Sequence, residues 1–201
     1  MRFHHSGNQP VVTMTFPERL ASELLMYLSL LREGLRFRDK MTILLYLFAA
    51  PARYISKRQG KEYETSSRSD VILKNYNSLF FCGKSFNASR IVCSLYERDI
   101  RDQFNLEAGV FVDIGAHIGK YAIAVAKGLG EKGRVIAIEP EPNNFGLLKK
   151  NVLMNGLKNI LCENVACCDR ESETILYVHN TLSTCHSIFP FAESREVNYH
   201  P

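Results

Sequence analysis

Residues 110–119 read VFVDIGAHIG, and this stretch decides the fold. Val110 to Val112 is an apolar run of strand length that ends in Asp113, Gly115 and Gly119 bracket a tight turn, and Lys120 to Leu129 continues at helical period. The pattern is strand, loop, helix. A second short strand, Val135 to Ile138, delivers Glu139 about 20 residues beyond the last glycine, the distance at which a βαβ unit sets an acid against a ribose. Together these features predict an α/β domain that takes a nucleoside-containing cofactor at the carboxyl ends of parallel strands.

The loop also narrows the cofactor. A dinucleotide fingerprint wants glycine at the second position of G-x-G, so that backbone can approach a pyrophosphate; here that position is His117. Asp113 stands at the mouth of the loop, where a carboxylate repels phosphate and attracts an ammonium or sulfonium cation. S-adenosylmethionine carries both cations, and its ribose diol can donate hydrogen bonds to Glu139. A nicotinamide dinucleotide is disfavoured by the same histidine.

The 201 residues, 46% hydrophobic, suffice for one sizeable core with a helical piece attached. Net charge is +4, and the basic excess lies in the front half. The six cysteines, Cys82, Cys93, Cys162, Cys167, Cys168 and Cys185, show no CxxC spacing and read as reduced thiols of a cytoplasmic protein. His117, His179 and His186 lie apart, so no metal site is expected. The start, MRFHHSGNQP, has no secretory pattern, and the apolar stretches Leu20 to Leu31 and Met41 to Ala52 are too short to span a bilayer.

Thr15, Pro17 and Glu18 form a helix start, after which Leu20, Leu24, Leu28 and Leu31 recur as a core-facing stripe until Gly34. Asp39 is expected to cap a second helix, Lys40 to about Ala50, ending at Pro51 before Arg53, Lys57, Arg58 and Lys61. This helical pair either packs on the core with a solvated basic face, the reading its leucine spacing favours, or lies on an anionic membrane surface. Residues 60–70 read as a linker, which gives a helical extension over 1–69 and a Rossmann-like domain over 70–201, opened by a hairpin and helix within 70–105. In that segment Val71 to Leu73 and Leu79 to Phe81 flank the turn-forming NYNS. A helix starting near Ser89 then buries Ile91, Leu95, Ile100 and Phe104.

Beyond the glycine loop, Ala122, Val125 and Ala126 give the next helix a small apolar face. Pro142 starts another, with Phe145, Leu148 and Val152 inward and Gly156 at its end. Ile160 to Cys168 reads as the third strand and Glu173 to His179 as a fourth; the tail from Thr181 shows little periodicity.

The stretch FVDIGAHIGKYAIAVAKGLGEKGRVIAIEPEPNNFGLLKKNVLMNGLKNI, followed by NVACCD, closely resembles the cofactor-binding half of FkbM-type S-adenosylmethionine-dependent methyltransferases, in an archaeal-like form. The resemblance covers about residues 110–179, with a weaker echo back to Val71. It implies a class I, Rossmann-like methyltransferase fold. Asp113, Gly115, Ala116, His117 and Gly119 would form the methionine-side loop, Glu139 and Pro140 would hold the ribose, and Asn164, Val165 and Ala166 would border the adenine. It also implies methyl transfer to a hydroxyl of a sugar or small metabolite. The family pattern continues to a Lys-Ile-Asp-x-Glu-Gly-like strand that is absent here, so the sequence reads as C-terminally truncated, with roughly 90 residues after the first motif strand.

Transfer to a hydroxyl usually needs a base. His117, His179 and His186 are candidates by chemistry alone, so no catalytic residue is assigned. The alternative to an enzyme is a noncatalytic remnant, or a partner-binding protein whose exposed sheet edge another chain completes. Nucleic acid is a poor partner, because the basic excess is modest and is not interleaved with aromatics.

Overall fold

The computed structural model describes residues 15–52, 66–101, 103–104, 109–170, 173–179, 184–190 and 194–199. At its centre a three-stranded parallel sheet is ordered β3 (Gly109–Ile114), β4 (Gly133–Ile138), β5 (Ile160–Glu163). Asp113 pairs with Ala137 and Ile114 with Ile138, so the glycine loop and Glu139 leave the sheet side by side. Helices α5 (Lys120–Leu129) and α6 (Pro142–Met154) make the crossovers. Their apolar stripes bury Ala122, Val125, Ala126 and Leu148 against Val135 and Ala137, as the sequence predicts.

Before this sheet come α1 (Phe16–Glu33), α2 (Phe37–Phe48), the antiparallel hairpin β1 (Ser66–Asn75) and β2 (Ser78–Ser85), α3 (Phe86–Val92) and the short α4 (Arg98–Arg101). The hairpin turns at Tyr76 and Asn77, both at positive φ, which suits the twist of a two-residue connection. It is longer than expected and takes up residues 66–70 of the anticipated linker; residues 53–65 lie outside the described residues.

The front half is fastened to the sheet by two asparagines. Asn151 Oδ1 accepts the Phe81 N–H at 2.7 Å while its amide donates to Ile118 O at 2.9 Å. Asn155 Oδ1 accepts the Leu79 N–H at 2.9 Å and its amide donates to Leu79 O at 2.7 Å. Two side chains at i and i+4 thus stand in for a neighbouring strand along β2. Behind them one buried cluster runs from Tyr27, Leu30 and Ile43 through Phe80 and Phe86 to Ile118 and Ile123.

Several expectations are corrected. The leucine stripe of α1 does not face the core: Leu20, Leu24 and Leu28 are exposed and Leu31 is half-buried, whereas Tyr27 and Leu30 are buried. Rotation is set by Tyr27 stacking on Phe86 with centroids 5.5 Å apart, and by Glu33 Oε1 accepting from Ser29 and Ser94. Asp39 is the third residue of α2 rather than its N-cap; from there its carboxylate closes a capping box by accepting the N–H of the cap residue Arg36 at 2.8 Å, and it pairs with that guanidinium at 2.7 Å. The stripe assigned to a helix near Ser89 is split, since α3 starts at Phe86 on the Ser85 cap and ends at Val92, and Leu95 and Ile100 are exposed.

The third strand stops at Glu163, not Cys168. Its last ladder bond is Glu139 N–H to Glu163 O, at 3.0 Å, and Asn164 then turns its amide back onto Glu139 O and Pro140 O. The fourth strand, β6 (Thr174–His179), pairs antiparallel with β7 (Ser194–Tyr199), a strand the tail did not announce.

Candidate functional site

Gly115, His117, Glu139 and Pro140 line one side of a cleft of about 200 Å³, and Thr184 and His186 line the other. It sits at the carboxyl ends of β3 and β4, where a parallel sheet opens between its crossovers.

The loop is held by its own backbone. Gly115 N–H and Ala116 N–H both donate to Ile138 O at 2.9 Å, His117 N–H donates to Glu139 Oε2 at 2.8 Å, and Gly119 N–H donates to Ala116 O at 2.8 Å. A phosphate-binding loop leaves such groups pointing at its ligand; here four are consumed internally, which makes the loop a poor cradle for a diphosphate. His117 takes φ +52° in the second fingerprint position, where its side chain fills space that a glycine would leave open.

Glu139 is buried at the floor of the cleft. Besides His117 N–H it accepts the Glu141 N–H on Oε1 at 3.0 Å. Burial raises its pKa, and the backbone bonds from Glu141 and His117 oppose that. The Asn144 side chain also hydrogen-bonds Glu139, and of the roughly four acceptor positions of a carboxylate three such bonds leave one that a ribose hydroxyl can approach. Glu141 Oε2 in turn accepts the Asn144 N–H at 2.7 Å and caps α6.

Asp113 is not among the residues lining the cleft. Its Oδ2 accepts the Ala122 N–H at 3.0 Å, so the carboxylate serves an orphan donor in the first turn of α5, whose own cap residue, Gly119, has no side chain to offer. Burial raises the Asp113 pKa and the Ala122 bond opposes it. Gly119 sits at φ +93°, and a Cβ there would lie 2.7 Å from Leu148 Cδ1. That glycine therefore permits the close approach of α5 and α6.

Asn164 uses both amide hydrogens on the Glu139 and Pro140 carbonyls, at 2.7 and 3.0 Å, and so shapes the acid's turn. Val165 and Ala166 follow it, half-buried and outside the cleft lining. Among the histidines, His117 and His186 line the cleft. His117 is buried and its pKa is pushed down to about 4, first by desolvation and then by His186. His186 accepts the His179 N–H on Nδ1 at 3.2 Å and brings Nε2 to 3.4 Å from the Asn144 amide. Thr184 has no signal in the sequence, because it belongs to the aperiodic tail. Lys120 also went unremarked: it is buried, donates to Tyr96 O, lies 4.8 and 4.9 Å from the Tyr96 and Tyr121 ring centroids, and has its pKa lowered to about 8 by desolvation.

A parallel sheet whose first loop is a poor cradle for diphosphate and whose second strand ends in a buried acid has the layout of a domain that takes a nucleoside-containing cofactor. Residues 113–201 match the family model of the methyltransferase FkbM domain. No curated protein matches the chain. Among solved structures, M. jannaschii TYW2 in complex with AdoMet is similar at 26% identity over 60% of this chain and 50% of that one, with TM-score 0.41. A SAM-dependent methyltransferase from Aquifex aeolicus is similar at 27% identity over 43% and 45%, with TM-score 0.32. A SAM-dependent O-methyltransferase from Thermotoga maritima is similar at 21% identity over 40% and 32%, with TM-score 0.35. The chain spans half or less of the length of each.

Proposed function

We propose that this chain binds S-adenosylmethionine in the cleft between Glu139 and His186 and passes its methyl group to a hydroxyl of a sugar or other small metabolite. The observation that carries this reading is Glu139: a buried acid at the end of β4, tied to the glycine loop through His117 N–H and facing the cleft. Its remaining acceptor capacity suits a ribose hydroxyl, and Gly115 opens the loop side where the methionine part would lie. Asp113 acts one step back, by fixing the start of α5, and Asn164 fixes the Glu139–Pro140 turn. Val165 and Ala166 would border the adenine. Transfer needs the acceptor oxygen in line with the methyl carbon and sulfur, and closeness of that kind supplies most of the rate.

The test is incubation with methyl-labelled S-adenosylmethionine and a panel of free sugars, glycosides and hydroxylated metabolites, with the product located by NMR. O-methyl product supports the reading; label transferred only to nitrogen or to nucleic acid contradicts it.

A second reading, a cofactor-binding chain that works only with a partner completing its sheet, is favoured by one observation. Val110, Val112 and Ile114 are exposed on one face of β3, whose outer edge has no neighbour among the described residues. Parallel sheets are ordinarily covered on both faces. Binding without transfer to any acceptor would favour this reading.

A further inference from the structure

Helix α2 turns its apolar residues outward. Phe37 is 80% exposed, Leu45 65% and Phe48 77%, with Met41 between them. At 100° per residue these four share one sector, which Arg38 borders on one side and Lys40 on the other, both exposed. The one carboxylate of α2, Asp39, points the opposite way; its side chain is fully buried and paired with Arg36. The outward face of α2 is therefore apolar along its middle, cationic at its margins and free of acid.

Helix α1, packed beside α2, also turns apolar residues outward, with Glu18 next to them in its first turn. Leu24, Leu25 and Leu28 are exposed on one side, and Arg32 continues that side one turn later. Its inward residues, Tyr27 and Leu30, belong to the core. The helical front therefore carries two apolar faces, one buried and one not. Among the described residues no helix is long and apolar enough to cross a membrane.

We propose that the outward face of α2 docks on an anionic lipid surface, with Phe37, Leu45 and Phe48 in the acyl boundary and Arg38 and Lys40 on the headgroups. Charge decides for this occupant. A protein partner or a second copy could cover the apolar stripe, but on α2 the cations on both margins and the absence of an outward acid suit a uniformly negative plane. Arg and Lys stems lie along apolar surface while their charges reach outward, which is the posture an interface rewards. The proposal is independent of the methyl-transfer reading.

Sedimentation of the 201-residue chain with phosphatidylcholine vesicles, with and without phosphatidylserine, tests it. The chain is expected to pellet with the anionic vesicles at low salt, much less at high salt, and little with neutral ones. Leu45→Glu with Phe48→Glu, and separately Arg38→Glu with Lys40→Glu, should each lower partitioning at least about tenfold. All four sites are on the surface, and circular dichroism checks that the variants stay folded. Failure of the folded parent chain to bind anionic vesicles would overturn the proposal. So would a dimer in analytical ultracentrifugation that the Leu45→Glu, Phe48→Glu variant dissolves, since a second copy would then occupy the face.

Discussion

The carboxylate of Glu139 accepts the backbone N–H of His117 at 2.8 Å, across 22 residues of sequence. The bond joins the acid that ends β4 to the loop that follows β3, so the side chain proposed to take the ribose also sets the shape of the loop. Glu139→Ala is expected to weaken S-adenosylmethionine binding by about 1–3 kcal/mol, the range for a lost hydrogen bond to a charged group. Glu139→Gln keeps the shape and one acceptor and should lose less. Calorimetric affinities of the two variants check the order, and equal losses would contradict it.

Asp113 acts on the helix before it acts on the ligand. Asp113→Ala removes the acceptor for Ala122 N–H, with an expected stability loss of about 1 kcal/mol, typical of a lost helix cap. Thermal unfolding reads this directly. If Asp113 instead contacts the ligand, cofactor affinity would fall while the melting temperature held.

Gly119 and Gly115 both sit at positive φ, but their surroundings differ. A Cβ at Gly115 meets nothing within 4 Å, whereas one at Gly119 meets Leu148 at 2.7 Å and Ile123 at 3.0 Å. Gly115→Ala should lose about 1 kcal/mol from backbone strain alone, and Gly119→Ala should lose roughly 1–3 kcal/mol more from overpacking. Urea titration of both variants tests the ranking.

His117 should stay neutral well into the acid range. Its folded pKa of about 4 lies below the ordinary 6.5, so between those values the unfolded chain binds the proton and the folded chain does not. The neutral ring's contribution is therefore complete above pH 6.5 and is lost as pH falls toward 4, up to about 3 kcal/mol in all. Asn tolerates the φ of +52° at this position, so the difference in unfolding free energy between His117→Asn and the parent should shift in the variant's favour across that window. A flat difference would show that the imidazole is solvated.

The sheet and its loop were legible because their signal is local. Asp113, Gly115, Gly119 and Glu139 each sit where strand length, turn chemistry and crossover length require them. The orientation of α1 was not legible, since apolar residues occupy two of its faces and only the long-range stack of Tyr27 on Phe86 selects one. Nor was the docking of β2 on Asn151 and Asn155, which spans some 70 residues and uses side chains that look like ordinary helix-surface polar residues. The second wall of the cleft, Thr184 and His186, comes from the aperiodic tail, whose β7 shows its register only once paired to β6.

The most direct test of the central claim is calorimetric titration of the 201-residue chain with S-adenosylmethionine, S-adenosylhomocysteine and NADH in parallel. Saturable binding of the first two, with no heat from NADH, is the predicted result. Binding of NADH alone, or no binding of S-adenosylmethionine by a folded chain, would contradict the account.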